Sequence, residues 1–280
     1  MSLFLVAVML VLIVGAIIAF TGLFGHKRVT AQSADTAAHL AAAQFALEQY
    51  AGASGNLPCP ANPALDTGDA DPIGPTPTCN SPAGTVPWRT IGLSRDQAFD
   101  AWGWKISYRV YTGAAGSLTQ ANAASMVQCT TNAASWSPGL GAGNTCRELN
   151  GRHTKDSEYL ATRALMLKVT DFGAPTKNDV AYVLISHGVS GLGAWTSAGV
   201  QKMPLPANAH ELSNENATDF FAEAASDPSV DATNPTHFDD VIVYRELLDF
   251  IVHANLAARA WPDPAPGLAD VVANSATVAA

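Results

Sequence analysis

The sequence predicts an α+β fold in which one long N-terminal helix, membrane-spanning in its first half and amphipathic in its second, lies on an antiparallel β-sheet. Three observations carry this. Ser2–Phe24 contains no charge at all. From Val29 to Gly52 there is no proline, and Leu40, Ala43, Leu47 and Tyr50 recur at steps of three and four, the period of a helix face. Beyond a proline-rich stretch come short apolar runs that read as strands. A sheet with an apolar face needs a cover, and the amphipathic half of the helix supplies one.

The apolar run of about 22 residues makes a helix of roughly 33 Å, against roughly 30 Å for the hydrocarbon core of a bilayer. It can span. A cleaved secretory signal fits less well, because its apolar region is usually about 7–15 residues with a basic segment before it and a small-residue cleavage site after it. Here no Lys or Arg precedes the run, and Gly25-His26-Lys27-Arg28 leads into further helix. In that helix Gln32, Asp35, His39, Gln44 and Glu48 take the remaining faces, and Gly52 or Gly55 is the expected stop. The chain therefore divides into a transmembrane helix (1–25), its amphipathic continuation (26–55), an extracytoplasmic globular domain (56–260) and a flexible tail (261–280).

From Asn56 to Asp100 eight prolines between Pro58 and Pro87 exclude regular helix and interior strand. This reads as a long ordered loop, since it carries Cys59, Cys79 and the apolar anchors Trp88, Ile91, Leu93 and Phe99. Trp104–Thr112 alternates, with Ile106, Tyr108 and Val110 on one face and Lys105, Ser107, Arg109 and Tyr111 on the other, as a half-buried strand does. Further strands are expected at Ser125–Thr130, Ala164–Thr170 and Val180–Ser186. Val241–Tyr244 then reads as a strand running into a short helix over Arg245–His253.

Charge and cysteines bound the function. Asp plus Glu number 24 against 15 Lys plus Arg, a net charge of −9, which gives no footprint for phosphate backbones, so no nucleic-acid partner is expected. Cys59, Cys79, Cys129 and Cys146 all lie beyond the apolar run and none is in a close pair, which disfavours a zinc site. Disulfides between sequence neighbours, Cys59–Cys79 and Cys129–Cys146, would close two loops at about 3 kcal/mol of unfolded-state entropy each, although three pairings exist. Such bonds persist in an oxidising compartment, so the bulk of the chain is expected outside the cytoplasm. The basic cluster His26-Lys27-Arg28 then sits on the wrong side for the positive-inside rule. A short basic leader upstream of Met1 would resolve that tension.

The apolar start running into an amphipathic helix, then FALEQYAGASGNLPCPA, VPWRTIGL, DAWGWKISYRV and AYVLISHGVSGLGAW, resembles the type IV pilin-like proteins: pilins, minor pilins and pseudopilins of type II secretion. The similarity covers roughly residues 1–112 and 179–195, and LPCPA and DAWG are its most specific parts. The resemblance implies a non-enzymatic filament subunit without cofactor, held in the inner membrane as a single-pass protein and facing the periplasm, or the cell surface after assembly. It implies as partners other pilin-like subunits, met through the N-terminal helices, together with the assembly machinery and a prepilin peptidase. The assembly helix would use Leu3, Phe4, Leu5, Val6, Leu10, Leu12, Ile13, Ile17 and Phe20, and Met1 would be the processed, methylated N-terminus. The family's usual glutamate near that terminus would fall at Leu5, and the span contains no acid. A minor component fits better than a major repeating subunit.

Other constellations are weaker. Asp66, Asp69 and Asp71 put three carboxylates on one loop, a candidate calcium site, against the commoner solvated acidic turn. His187-Gly188-Val189-Ser190-Gly191 suggests a serine hydrolase, but its second Gly comes one residue early for a nucleophile elbow, and a tight turn explains the glycines equally well. His187, His210, His237 and His253 lack paired metal-ligand spacing. Trp88, Trp102 and Trp104 read as packing beneath the helix before a sugar platform. Asp239-Asp240 reads as a solvated pair or a partner contact. A tethered binding module (an adhesin, or a DNA-uptake or substrate-recognition tip) and a tethered periplasmic hydrolase remain as alternatives.

Overall fold

Residues 31–54 are helical in the computed structural model of the chain, which describes residues 31–76, 78–112, 118–119, 166–216, 219–227 and 229–254. This helix, α1, turns Leu40, Ala43, Leu47 and Ala51 inward, all four fully buried. Its stop is Gly55, at φ 76°, whose N–H returns to the Ala51 carbonyl at 2.8 Å. Gly52 lies within the helix, where a Cβ would meet the Ala254 carbonyl oxygen at 2.6 Å, so the position needs a glycine for close approach. Ser2–Phe24 and the assembly residues named within it lie outside the described residues, as do Met1, Cys129, Cys146, the strand expected at Ser125–Thr130 and the tail from 261. Among the described residues no helix is long and apolar enough to cross a membrane.

The fold is α+β around a six-stranded sheet: β1 (Ala83–Thr85), β2 (Ser107–Val110), β3 (Leu167–Asp171), β4 (Lys177–Ser186), β5 (Asp219–Ala222) and β6 (Val241–Glu246). Among the described residues there are also two short helices, α2 (Ala209–Asn216) and α3 (Leu247–His253), and a 3-10 turn at Asp96–Ala98. β4 is the hub, antiparallel to β2, β3 and β6. The expectation of a purely antiparallel sheet is corrected at one place, because β5 pairs β3 in parallel. Parallel pairing requires a long crossover, and here the connection from β3 to β5 runs through β4 and α2.

The loop from Asn56 to Pro82 is closed by a Cys59–Cys79 disulfide with Cα atoms 5.5 Å apart. β1 follows directly on this loop and pairs β2, and Ala61 within the loop bridges to Ala70 and to Thr85 of β1. The strand expected over Trp104–Thr112 narrows to β2 and is corrected from half-buried to buried throughout. Its polar face is covered by the segment that carries α2, which placed Ser107 and Arg109 in the interior. β4 begins earlier than expected, at Lys177, and β6 runs on to Glu246 before α3 follows as a short helix. α2 and β5 were not foreseen, since their sequences, AHELSNEN and DFFA, carry little apolar period.

Because side chains alternate along a strand, the sheet has two differently furnished faces. Tyr108, Tyr182 and Phe250 meet edge to face, with ring centroids 6.3 and 5.7 Å apart, in one core with Leu40 and Leu47 of α1. Two polar ties run to the same helix. The Tyr182 hydroxyl donates to Glu48 at 3.2 Å, and Arg245 donates to that carboxylate at 2.6 Å. Arg245 lies opposite Tyr182 in the β4–β6 register, so both point to α1.

Candidate functional site

The segment DAWGW forms a turn that joins α1 to the sheet. Gly103, at φ 89°, lets the chain reverse, and the Asp100 carboxylate accepts from the backbone N–H of Trp102 at 3.0 Å and of Trp104 at 2.9 Å. Its other oxygen accepts from the Ser186 hydroxyl at 2.7 Å, at the end of β4. Burial pushes the Asp100 carboxyl up, against the hydrogen bonds from Ser186, Trp104 and Trp102. Three side chains of α1 hold the turn from outside: Thr36 Oγ1 accepts from Ala101 N–H at 3.1 Å, Gln32 donates to the Ala101 carbonyl at 3.1 Å, and His39 Nδ1 donates to the Phe99 carbonyl at 2.6 Å.

On the opposite face of the same strands, polar groups collect. His187, fully buried, places Nδ1 3.2 Å from Asp240 Oδ1 and Nε2 3.0 Å from Ser107 Oγ. Glu215 Oε2 lies 3.7 Å from the same Nε2. Asn214 of α2 donates to the second oxygen of Asp240 at 2.9 Å, and Arg109 donates to the Glu215 carbonyl. Burial alone lowers the imidazole, but the charge of Asp240, its hydrogen bond and the charge of Glu215 together raise the His187 pKa above its ordinary value. The connectivity Ser107–His187–Asp240 is that of a nucleophilic triad. The Ser107 hydroxyl is buried, however, and a second carboxylate, that of Glu215, faces the imidazole from the Ser107 side. What the arrangement does is tie β2, β4 and the segment before β6 to α2.

Ser190, the serine singled out by the sequence, is elsewhere. Its hydroxyl donates to Asp239 at 3.0 Å and its N–H to the same carboxylate at 2.6 Å. The glycines around it serve close approach. A Cβ at Gly188 would strike the Asp239 carbonyl oxygen at 2.3 Å, and one at Gly191 the Trp104 ring at 2.2 Å. The pairing of His187 with Ser190 is thus replaced by pairing of His187 with Ser107.

A third cluster adjoins this one. Asn208 caps α2, its side-chain oxygen accepting from His210 N–H at 2.8 Å and Glu211 N–H at 3.2 Å, and so fixes Glu211 in the first turn. Glu211 Oε1 accepts from Asp239 N–H at 2.6 Å. His237 Nε2 lies 3.5 Å from Asp239 Oδ2. The Glu211 pKa is pushed up to about 8 by burial and by the neighbouring Asp240 and Asp239 charges. Among the described residues this is the one group of three side chains able to converge on a metal ion.

The expected calcium loop does not converge. Asp66 pairs with Arg95 at 2.7 Å and faces Lys105 at 3.8 Å, Asp69 faces Arg89 at 3.5 Å, and Asp71 accepts from Asn80 at 2.6 Å. Lys105 itself is buried and donates to the Pro63 and Leu65 carbonyls at 3.1 and 2.7 Å, stitching this loop to the sheet. Nor do the indoles share a platform, since Trp88 lies against Gly68 and Trp104 against Gly191, beneath the Lys202 ammonium at 4.5 Å. Arg109, Glu211 and Glu215 were missed by sequence reading. Arg109 alternates onto the polar face of a strand, a signal that was present but was assigned to solvent.

In comparisons with known proteins, the chain matches no family model, no curated protein and no solved structure.

Proposed function

We propose that the chain is a non-enzymatic structural subunit of a type IV pilin-like filament, a pilus or a type II secretion pseudopilus, and a minor component of it. In this reading Ser2–Phe24 anchors it in the inner membrane and later packs against equivalent helices of other subunits, while residues 56–260 face the periplasm or the cell exterior. The observation that carries the reading is the grip of Gln32, Thr36 and His39 on the DAWG turn. A subunit that moves between bilayer and filament through its helix needs its globular part fixed rigidly to that helix. Here the two segments most specific to the resemblance, LPCPA and DAWG, are both tied in: Pro58 O accepts from the Tyr108 hydroxyl at 3.2 Å, and the turn is bonded to α1. An all-round apolar helix is stable in lipid or in a bundle of like helices, which is the physical basis for the transfer.

A tethered hydrolase draws on the Ser107–His187–Asp240 connectivity, and the burial of that hydroxyl opposes it. Topology and oxidation test the main reading together. In spheroplasts, protease added outside should digest the globular part of the membrane-bound chain, and Cys59–Cys79 should be recovered as an oxidised peptide pair. A domain protected by the membrane, with reduced thiols, contradicts it.

A further inference from the structure

We propose that Glu211, His237 and Asp239 form a binding site for a divalent transition-metal ion of the zinc class. Each offers one ligand atom, and these atoms lie within 4.8 Å of one another. His237 Nε2 and Asp239 Oδ2, at 3.5 Å, are already near the roughly 3.3 Å that separates two ligands of a tetrahedral zinc ion. The set is a nitrogen and two carboxylates, a mixture that suits zinc-like ions better than calcium or magnesium, which take oxygen.

The second observation is that the cluster is short of partners. Among the described residues, Glu211 Oε2 and both ring nitrogens of His237 are buried without a hydrogen bond, and Glu211 is 1% exposed as a whole residue. Buried polar atoms in folded proteins are almost always paired, because an orphan costs roughly 1–3 kcal/mol. A single cation between them satisfies the Glu211 oxygen and one His237 nitrogen at once.

The surroundings are those of oriented ligands. Asp239 is held by the Ser190 N–H and hydroxyl, and Glu211 by the Asn208-capped helix and the Asp239 N–H. Outer contacts of this kind fix ligand geometry. Three protein ligands leave a fourth position, on the side where the His237 and Asp239 side chains keep 11% and 13% exposure. A nearby histidine shows the contrast. His210 has its own carboxylate, Glu223, and stacks on Phe221 at 4.0 Å, so that pair is complete without an ion.

The test uses the full chain in detergent, stripped with a chelator and titrated with zinc chloride by calorimetry and thermal unfolding. One zinc per chain should bind and raise the Tm, while calcium and magnesium chloride leave it unmoved. Cobalt(II) should give visible d–d bands. Glu211→Gln, which keeps an acceptor for the Asp239 N–H, and His237→Gln should each weaken zinc by about a hundredfold or more, since even outer contacts are worth 10–100-fold. His210→Gln should bind as the parent does. In the unsubstituted chain, zinc should shift the imidazole NMR signals of His237, a readout that needs no access to its buried nitrogens and survives any folding defect in the variants. Absence of zinc binding overturns the proposal. So does binding that both variants retain, or zinc that leaves the His237 imidazole signals unmoved.

Discussion

One face of the sheet is chiefly apolar, while on the other a polar cluster lies beside the buried Val183 and Ile185, which stand opposite Arg109 and Ser107 in the β2–β4 register. On the α1 side, Tyr108, Tyr182 and Leu184 meet Leu40, Leu47 and Phe250 in an apolar core, with Glu48 and Arg245 at its margin. On the α2 side, one residue along the same strands, Ser107, Arg109 and His187 meet Asn214, Glu215 and Asp240. Both faces are buried. The difference teaches that alternation along β2 separates two interiors, and that the polar one survives only because its charges compensate each other. The first interior tolerates loss of a group in proportion to volume, whereas the second depends on every partner being present.

Removing partners should separate the faces most sharply. Tyr182→Ala, which empties a fully buried position and deletes the hydrogen bond to Glu48, should cost about 3–5 kcal/mol in chemical denaturation. Asp240→Ala should cost a similar ~3–5 kcal/mol although it removes far less volume, because it leaves the buried His187 Nδ1 and the Asn214 amide without their shared carboxylate. A further His187→Leu change should then recover part of the loss. If the double variant is no more stable than Asp240→Ala, compensation of charge is the wrong account of this face.

On the α2 side pH acts through His187 and Glu211. The folded His187 pKa is raised above 6.5, so its contribution is complete below that value and is lost as pH rises through the folded pKa. Glu211 is raised from 4.5 to about 8, so its ionisation costs nothing below pH 4.5 and costs progressively more up to about 8. Both have the same sign, and the metal-free chain should lose stability steadily from about pH 5 to 8. Glu211→Gln should flatten that slope and leave the metal-free chain more stable than the parent at pH 8. The smallest effect belongs to exposed pairs. Arg89→Ala, which breaks a 3.5 Å pair with Asp69, should change stability by less than about 1 kcal/mol.

Legibility in the sequence followed the same division. Leu40, Ala43 and Leu47 announce α1 by period, and the β-branched runs announce β4 and β6, because apolar period reports what an element buries. The Cys59–Cys79 link was readable as the pair of neighbours flanking a proline-rich loop, one of the connectivities the four cysteines allowed. The polar interior was not readable. Ser107, Arg109 and Glu215 have the pattern of a solvated surface, and what buries them is α2, whose sequence carries little apolar signal. His237 and Asp239 sit far along the chain from Glu211, and spacing gives no hint that the fold brings them together.

The most direct test of the filament reading is cross-linking through the apolar run in the native membrane. Leu10→Cys in the full chain, oxidised in intact cells, should give disulfide-linked adducts with a second copy or with another pilin-like subunit given a cysteine in its own N-terminal helix, and a charged residue at Ile13 should abolish them while the Cys59–Cys79 loop still forms. A chain that stays monomeric in the membrane under every oxidising condition contradicts the account.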